Sequence, residues 1–599
     1  MKFRKSAYLF IIVGVILTLV RCAHPVAPTG GLKDEDPPVV VGSQPANYST
    51  NFDRKNITIT FDEFVKLDKL QQQLLISPPT DKLPEIKLRG KSLIIKFLED
   101  LRPETTYSVY FGDAVVDLSE SNPIPGFTFV FSTGSILDSM TLTGQVRTAF
   151  DLKPAEETFV MLYVDDNDTI PVDSLPYRIR PYYITRTNKL GFYRFQNLRN
   201  EQYKMFALTD MNSNFIFDMP GEAIAYADSM IKPEFIKPTV IDTLVKQDSL
   251  LQQTVDSLSE ILDEEKIKIN RDSLIQMTDN SRFLYLFNEI DSTQKLLRAE
   301  LTKAGLITFA FRYPARDISV ESMLPLPDTF QLLKYYSKNA DSLYWYFSQH
   351  VLDSLTIHVT RDTLINDTIS LSLIPRAKPV KRGSKKDVVS DALQFTSTVK
   401  NKKLDLNKPL ILNFAEPVVN YQMRDTNRFI SNKDTLYNQL TFTKIDSIGL
   451  HYRVNETFEA GGSYDIAVPD SVFFGFSGKK NDTILISFKV PTLEDYGKLI
   501  VELQIDSAEK LIVQLLNAKE LVLEEKKVNN SGKVIFSNLT PGKYKIKAIQ
   551  DRNGNGRWDT GNYLRKIQPE KVSYFMKELD IRANWDFEED WDLRGKFND

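Results

Sequence analysis

The sequence predicts a mainly β protein built from tandem β-sandwiches, with one helical or disordered insert. Segments such as NITITFDEFV, SLIIKFLEDL and GFTFVFSTG alternate apolar with polar residues and are rich in Ile, Val and Phe, which is typical of strands with one buried face. Turn residues separate these segments at the short spacing of antiparallel sandwiches. Because 599 residues exceed what one core can hold, typical domain sizes indicate roughly four to six units.

Residues 1–22 have the pattern of an export signal. Three basic residues, Lys2, Arg4 and Lys5, precede the apolar run YLFIIVGVILTLV. This run is shorter than the roughly 20 residues that a membrane-spanning helix needs. Cys22 follows it and is the only cysteine of the chain, so no internal disulfide can form and the exported protein must be stabilised by its cores.

The position of Cys22 resembles the lipobox of bacterial lipoproteins, whose cysteine is acylated and becomes the mature N-terminus. The resemblance implies a protein anchored by lipid to the outer membrane. A small residue usually precedes this cysteine, whereas Arg21 is large and charged, so an uncleaved N-terminal anchor is the alternative. The stretch KDED, Lys33–Asp36, resembles the surface-export signals of Bacteroidota lipoproteins and favours the cell surface over the periplasmic face.

The first β segment carries a further resemblance. Residues 38–134 resemble the bacterial Ig-like domain first described in S-layer proteins, through a PP…V…S…P opening and a closing FSTG. The preceding CAHPVAPTGGLKD is similar to the start of Ig-like lipoproteins of the Bacteroidota. The resemblance implies a fold and a location and leaves the ligand open.

An internal repeat is the strongest organisational signal. Residues 191–218 and 532–559 align without a gap. Identical residues occur at the pairs Gly191/Gly532, Phe195/Phe536, Asn197/Asn538, Leu198/Leu539, Tyr203/Tyr544, Lys204/Lys545, Ala207/Ala548 and Asp210/Asp551. The shared pattern G…F…NL…Y…A…D resembles the carboxypeptidase-regulatory or prealbumin-like β-sandwich, which implies Phe and Tyr pointing inward from alternating strands.

These patterns predict ten segments. They are a signal peptide with the lipobox-like Cys (1–22), a tether (23–37), an Ig-like domain (38–134), a prealbumin-like sandwich (140–230), a helical or disordered insert (231–282), a β domain (283–376), a basic linker (377–387), an Ig-like domain (388–492), a prealbumin-like sandwich (497–585) and an acidic tail (586–599). Within the insert, apolar residues approach heptad spacing, and the alternative there is a partner-binding coiled coil.

Composition and motifs argue against two functional classes. A net charge of −4 without a concentrated basic face argues against nucleic acid as a partner. The four histidines are scattered, and the chain contains no G-x-S-x-G, H-E-x-x-H or Walker motif. The carboxylates of NWDFEEDWD are interpreted as solvated charge in a terminal strand and the acidic tail. The sequence therefore predicts a protein that is not an enzyme.

Two loops carry the spacing of calcium ligands. In DRNGNGRWD, Asp551, Asn553, Asn555 and Asp559 fit positions 1, 3, 5 and 9 of an EF-hand-type loop, with Gly556 at position 6. The first copy offers its ligands at the same spacing: Asp210, Asn212, Asn214 and Asp218. Position 12 is Asn562 or Gly221, so neither loop has the bidentate Glu, although Glu222 lies one place later. The sequence predicts weak, structural Ca²⁺ binding, with an Asx-rich turn as the alternative.

The tripeptide Asp-Ser/Thr followed by a small or aliphatic residue, or by Thr, recurs throughout the chain. It occurs more often than the roughly two to four times expected from average composition. It resembles the O-glycosylation sequon of the Bacteroidota, and the alternative is a turn that leads into a strand. The predicted glycosylation sites are Ser249, Ser257, Ser273, Thr363 and Thr368.

Together these features predict a membrane-anchored, non-enzymatic envelope lipoprotein that acts as a scaffold or binding subunit. Its partners would be the membrane, through Cys22, and outer-membrane proteins or glycans. Two alternatives remain open: an accessory subunit of an outer-membrane transport or assembly complex, and a surface adhesin or glycan-binding lipoprotein. The adhesin would expose aromatic residues such as those of LYWYF, Leu343–Phe347, although a buried strand is the favoured interpretation of this segment.

Overall fold

The computed structural model describes residues 34–164, 171–236, 280–291, 293–347, 352–361, 365–374, 392–406, 408–422, 428–431, 434–507 and 509–597. The signal peptide with Cys22, most of the predicted insert and the basic linker lie outside the described residues. The chain divides into two compact units, Met1–Glu289 with Gly561–Pro569, and Ile290–Thr560 with Glu570–Asp599. The predicted fold class is confirmed, because the protein is nearly all β and forms many small sheets.

The first sandwich of unit 1 covers the range predicted as an Ig-like domain, 38–134. Its elements are β1 (Val40–Gln44), β2 (Asn56–Phe61), β3 (Val65–Leu67), α1 (Leu70–Gln73), β4 (Leu75–Ser77), β5 (Glu85–Arg89), β6 (Ser92–Lys96), β7 (Thr106–Gly112), β8 (Val115–Asp117) and β9 (Phe127–Ser132). The sheets β1-β2-β6-β5 and β4-β7-β9 share one core, and β3 pairs with β8. In β2 the alternation holds as predicted, since Ile57, Ile59 and Phe61 are buried and the residues between them are less so.

The second sandwich of unit 1 forms one seven-stranded sheet. Its elements are β10 (Met140–Thr148), β11 (Phe159–Tyr163), α2 (Leu175–Arg178), β12 (Tyr183–Arg186), β13 (Phe192–Leu198), β14 (Lys204–Leu208), β15 (Ala223–Tyr226) and β16 (Arg282–Asn288). A 3-10 turn, Val172–Ser174, precedes α2. The strand order is β12-β11-β14-β15-β16-β10-β13, and residues from both ends of this order enter the same core.

Strand β16, the last strand of this sandwich in the sequence, corrects the predicted domain boundaries. The segment RFLYLFNEI was expected to open the β domain at 283, but β16 runs parallel to β10 and antiparallel to β15. The predicted insert also begins too early, because Ile231 and Glu234 pair with Tyr203 and Thr141. The insert therefore lies in the connection between β15 and β16, within the second sandwich and not between two domains.

Unit 2 begins with a sandwich whose strands are β17 (Leu296–Lys303), β18 (Leu306–Phe311), β19 (Ser319–Ser322), β20 (Leu332–Tyr336), β21 (Ser342–Phe347), β22 (Ser354–Arg361) and β23 (Ile365–Ser372). Sheets β17-β18-β21-β20 and β19-β22-β23 enclose one core. The LYWYF segment forms β21. Leu343, Trp345, Tyr346 and Phe347 are all buried, so the predicted burial of this segment is confirmed.

The fourth sandwich contains β24 (Phe395–Ser397), β25 (Ile411–Phe414), β26 (Val418–Tyr421), β27 (Arg428–Ser431), β28 (Asp434–Gln439), β29 (Phe442–Lys444), β30 (His451–Val454), β31 (Ser463–Val468), β32 (Phe473–Gly475) and β33 (Ile484–Lys489). Its sheets are β24-β25-β30-β29, β28-β27-β31-β33 and the pair β26-β32. Strand β33 keeps the expected period of two, with Ile484, Ile486 and Phe488 in the core. A 3-10 turn, Leu493–Asp495, follows and is closed by a capping box between Thr492 and Asp495.

The fifth sandwich contains β34 (Gly497–Gln504), β35 (Leu511–Asn517), β36 (Val522–Val528), β37 (Gly532–Leu539), β38 (Gly542–Gln550), β39 (Val572–Tyr574), β40 (Leu579–Ile581) and β41 (Asp586–Asp592). The prediction of an acidic tail at 586–599 is wrong, because β41 pairs in parallel with β34 along its whole length. Its acidic residues alternate with Phe587 and the buried Trp591, and Leu593 and Phe597 also enter the core. A terminal strand was expected here, but not its pairing with β34 or its place in the core.

The two copies of the repeat share pairing as well as sequence. Strands β37-β34-β41 of the fifth sandwich pair as β13-β10-β16 do in the second, with the last strand parallel in both. The hydroxyl of Tyr203 donates to the Arg199 carbonyl at 3.0 Å, and that of Tyr544 donates to the Thr540 carbonyl at 2.6 Å. The repeat therefore includes the final strand, which the sequence alignment did not reach.

Candidate functional site

The second Asp/Asn loop starts where β38 ends, and Asp551 is its most buried residue. Only 4% of Asp551 is exposed. Its Oδ2 accepts the Gly556 N–H at 2.9 Å, and its own N–H donates to the Lys510 carbonyl at 2.8 Å. Its Oδ1 is buried and has no hydrogen-bond partner among the described residues. Gly556 has a φ of 77°, the left-handed backbone that the sixth position of such a loop requires.

The two asparagines of this loop hold its second carboxylate. The side-chain amide nitrogens of Asn553 and Asn555 donate to Oδ2 of Asp559 at 2.5 and 2.7 Å. Their amide oxygens accept the backbone N–H groups of Asn555 and Arg557 at 3.0 and 2.9 Å. Three of the four predicted ligand residues, Asn553, Asn555 and Asp559, are thus joined by hydrogen bonds from the two amides to one carboxylate.

Glu570 closes the base of the loop, and the sequence analysis missed it. Its Oε1 accepts the Arg552 N–H at 2.8 Å and its Oε2 accepts the Asp559 N–H at 2.9 Å. Burial raises the pKa of the Glu570 carboxyl, the two backbone N–H groups lower it, and the nearby carboxylates of Asp559 and Asp551 raise it again. Trp558 lies beside this group, since its Nε1 donates to the Glu570 carbonyl at 2.9 Å.

The first loop has the same frame, with its leading carboxylate fully bonded. Oδ1 of Asp210 accepts the N–H groups of Asn212 and Ser213 at 3.1 and 2.7 Å, and its Oδ2 accepts that of Phe215 at 2.8 Å. Phe215 takes the sixth position with a φ of 61°, and its ring packs edge-on against another aromatic ring. The amide nitrogen of Asn214 donates to Asp218 at 2.8 Å. This pattern is that of an Asx turn.

Glu222 occupies the place of Glu570 in this first loop. It is fully buried, and its carboxylate accepts the N–H groups of Met211 at 3.1 Å and of Asp218 at 3.1 Å. Glu222 follows Asp218 by four residues, whereas Glu570 follows Asp559 by eleven. The signal that would have revealed Glu570 was therefore hidden by the additional residues of the second copy.

Asn562, the predicted twelfth position, lies outside the second loop. It belongs to unit 1, where its backbone pairs with Ile567 and its Oδ1 accepts the Arg565 N–H at 2.9 Å. The segment Gly561–Pro569 forms a tight hairpin within that unit. An ion pair between Lys566 and Asp173 fixes one side of the hairpin.

Tyr563 is the apolar centre of this hairpin. It has no exposed surface, and its ring lies 5.1 Å from that of Phe206 and 4.9 Å from that of Tyr226, both at steep angles. Its backbone N–H donates to Oε1 of Glu289 at 2.6 Å. Its hydroxyl is buried without a partner among the described residues, and burial raises the pKa of that hydroxyl.

Of the predicted lipidation and glycosylation residues, only Thr368 lies within the described residues. Ser249, Ser257, Ser273 and Thr363 lie outside the described residues, as Cys22 does. Thr368 is exposed on β23, a position open to modification. Among the residues that the structure describes, helices are limited to short turns, and none has the length and apolar character that crossing a bilayer requires.

Two family models match parts of the chain. Residues 34–133 match the family described as "Bacterial Ig-like domain", which confirms the Ig-like resemblance of the first sandwich. Residues 492–566 match "Uncharacterized protein conserved in bacteria (DUF2141)", a range that includes the second Asp/Asn loop. No curated protein matches the chain.

Several solved structures are similar to the chain. The S-layer protein rSbsC is 10% identical, with 91% of this chain and 67% of that chain covered and a TM-score of 0.13. For BcpA, the major pilin subunit of Bacillus cereus, the identity is 9%, the coverages are 76% and 99%, and the TM-score is 0.14. Dimeric latent PorU from Porphyromonas gingivalis is 8% identical, with 72% of this chain and 46% of that chain covered and a TM-score of 0.15. TM-scores this low carry no argument about domain arrangement or activity.

Proposed function

We propose that this protein is a membrane-anchored, non-enzymatic component of the bacterial cell envelope that acts as a scaffold or binding subunit. The observation that carries the proposal is a succession of β-sandwiches, each with its own aliphatic and aromatic core, which begins with a bacterial Ig-like domain. Such a chain is suited to binding partners and to holding them at a distance from each other, because each sandwich folds around its own core and presents its own surface. The export signal at the N-terminus supports placement in the envelope.

The proposed anchor is an acylated Cys22, followed by a tether rich in Pro and Gly. Each buried CH₂ of an acyl chain contributes about 0.8 kcal/mol, so two or more chains hold a protein stably on a bilayer. The experiment is fractionation of cells that express the tagged chain, together with metabolic labelling by a clickable fatty acid. We expect wild type in the membrane fraction with label, and Cys22→Ala without label.

Arg21→Ala is the matched control, because it replaces the residue that departs from the lipobox and leaves the cysteine in place. It should be labelled at least as strongly as wild type. Cys22→Ala that stays in the membrane without label would favour the uncleaved apolar anchor. A wild-type chain that carries no label would refute lipidation outright.

A second candidate is an accessory subunit of an outer-membrane complex, and one surface feature favours it. Leu521, Val522 and Leu523 are consecutive and are 61%, 45% and 53% exposed. Val522 and Leu523 are the first residues of β36, an edge strand of its sheet, and Leu521 immediately precedes it. Exposed apolar residues on an unpaired strand edge are suited to pairing with another chain.

Crosslinking in native envelopes tests this candidate. A defined partner captured by wild type should be lost when Leu521 and Leu523 are both replaced by Ser. Met576→Ser serves as control, since Met576 is 99% exposed and lies away from that edge in the turn before β40. Equal capture by all three proteins would exclude β36 as the docking edge, and digestion by protease only after cell lysis would exclude a surface adhesin.

A further inference from the structure

We propose that the second loop, Asp551–Asp559, binds Ca²⁺ through Asp551, Asn553, Asn555 and Asp559, whereas the first loop is a hydrogen-bonded turn that binds none. The inference goes beyond the scaffold function and does not depend on it. It separates two loops that the sequence treats alike.

The buried Oδ1 of Asp551, which has no hydrogen-bond partner among the described residues, is the observation that favours a bound cation. In an EF-hand-type loop the carboxylate at the first position serves the ion and also the backbone of the loop. Here Oδ2 makes the backbone bond, to Gly556, and Oδ1 is left buried without a partner. A buried carboxylate oxygen without a partner is unfavourable, and a bound cation would satisfy it.

The charge of the loop supports the same conclusion. Asp551 and Asp559 bring two carboxylates to one small loop, and the asparagine amides that bond to Asp559 contribute dipoles without net charge. Glu570 adds a third carboxyl group at the base of the loop, where both of its oxygens accept backbone N–H groups. The ammonium groups of Lys510 and Lys527 lie beside Gly554 and Gly556, where they offset part of this charge. A divalent cation would offset more, and binding it would require Asn553 and Asn555 to exchange their hydrogen bonds to Asp559 for contacts of their amide oxygens with the ion.

The donor set selects the class of ion. Carboxylate and amide oxygens without His or Cys suit a hard cation, and a flexible loop with five or more oxygens suits Ca²⁺ better than the rigid octahedron of Mg²⁺. Within the described residues, no group of three or more His, Cys, Asp or Glu side chains is arranged to hold a metal. The site therefore depends on two carboxylates and on amide and backbone oxygens, which predicts a Kd of roughly 10⁻⁴–10⁻³ M.

The first loop offers no such opening. Both oxygens of Asp210 accept backbone N–H groups, three in all. A cation would have to displace bonds that already satisfy this carboxylate. Phe215 at the sixth position also brings an aromatic ring to the point where the second loop has glycine. Asp210 is therefore the internal control for Asp551.

The experiment is titration of the purified full chain with Tb³⁺, excited through tryptophan, and with Ca²⁺ by calorimetry. Trp558 lies on the loop, so bound Tb³⁺ should luminesce and Ca²⁺ should compete at roughly millimolar concentration. Asp551→Asn should raise the Ca²⁺ Kd at least tenfold while it keeps an oxygen for the Gly556 N–H. Asp210→Asn should leave the Kd unchanged.

Two further variants keep the test decisive. Trp558→Phe should abolish the sensitised luminescence but leave the calorimetric Kd unchanged, which ties the signal to this loop. Asp559→Asn removes the second carboxylate and replaces Asp551→Asn if that variant does not fold. The proposal is overturned if wild type shows no saturable Ca²⁺ binding up to 10 mM (roughly tenfold above the weakest such sites), if Asp551→Asn and Asp559→Asn both bind as wild type does, or if Asp210→Asn removes the binding.

Discussion

Replacing Tyr563 should release the hairpin that it anchors in unit 1. The ring is fully buried between Phe206 and Tyr226, and loss of a buried aromatic side chain to Ala costs about 3–5 kcal/mol. Tyr563→Phe should cost little or nothing, because the hydroxyl that it removes has no partner in the described structure. Because each 1.4 kcal/mol is a factor of ten, Tyr563→Ala should raise the population of the open hairpin by about a hundredfold to a few thousandfold.

Hydrogen exchange measured by mass spectrometry resolves this local opening. The amides of Asn562 and Ile567 bond to each other's carbonyls, so peptides that cover 561–569 report whether the hairpin is closed. Leu564→Ala is the matched control, since Leu564 is the adjacent residue and is 62% exposed. If Tyr563→Ala exchanges no faster than Leu564→Ala, ring packing does not hold the hairpin. If Tyr563→Phe exchanges as fast as Tyr563→Ala, the hydroxyl matters and the reasoning about it is wrong.

Two further predictions concern the fifth sandwich. Trp591→Ala should destabilise it by about 3–5 kcal/mol, because Trp591 of β41 is part of its core. Trp585→Ala, at a 59% exposed position, should change stability by no more than about 0.5 kcal/mol. Denaturant unfolding, followed by limited proteolysis of this region, distinguishes the two variants. Asn538→Val should lower the free energy of unfolding by about 1–2 kcal/mol, because Asn538 has a φ of 56° that a β-branched residue adopts poorly. Asn538→Gly should be close to neutral in the same assay. Equal losses of stability for both variants would contradict this account.

The sequence predicted the sandwiches well wherever one face of each strand is apolar. Strands such as β2 and β33 keep the period of two. LYWYF is instead a continuous run of apolar and aromatic residues, and its last three residues are all buried. The prediction failed to place β41 in the core, because Asp and Glu occupy every outward position and the inward position of Glu589, so the apolar signal rests on Phe587 and Trp591. It failed at β16 for another reason: the partner strand β10 lies far back in the chain, and local periodicity carries no information about pairing.

The ligand residues of the two loops could be identified from spacing, but their difference could not. Asp210 and Asp551 occupy equivalent positions, and only the hydrogen bonds show that one carboxylate is satisfied and the other is not. The sixth position is not the cause, because its N–H bonds Oδ2 of the leading Asp in both loops. The loops differ at the third and fourth positions, where the N–H groups of Asn212 and Ser213 bond Oδ1 of Asp210 and no such bond reaches Oδ1 of Asp551 in the part of the chain that the structure describes.

The placement of the two insertions explains why a duplicated sandwich can diverge without losing its core. In the first copy the long insert lies between β15 and β16, and in the second copy the hairpin lies between the loop and Glu570. Each insertion enters a connection whose two ends are fixed by pairs that the insertion does not touch: β16 with β10 in one, Glu570 with the loop backbone in the other. The loop-closure free energy rises by only about 0.6 kcal/mol for each doubling of a connection's length, so the strand pairing and the glutamate hydrogen bonds can offset the cost of a longer connection. Glu570 in the second copy and Glu222 in the first bond the backbone at the second and ninth positions of their loops, so this contact is kept in both copies despite the insertions.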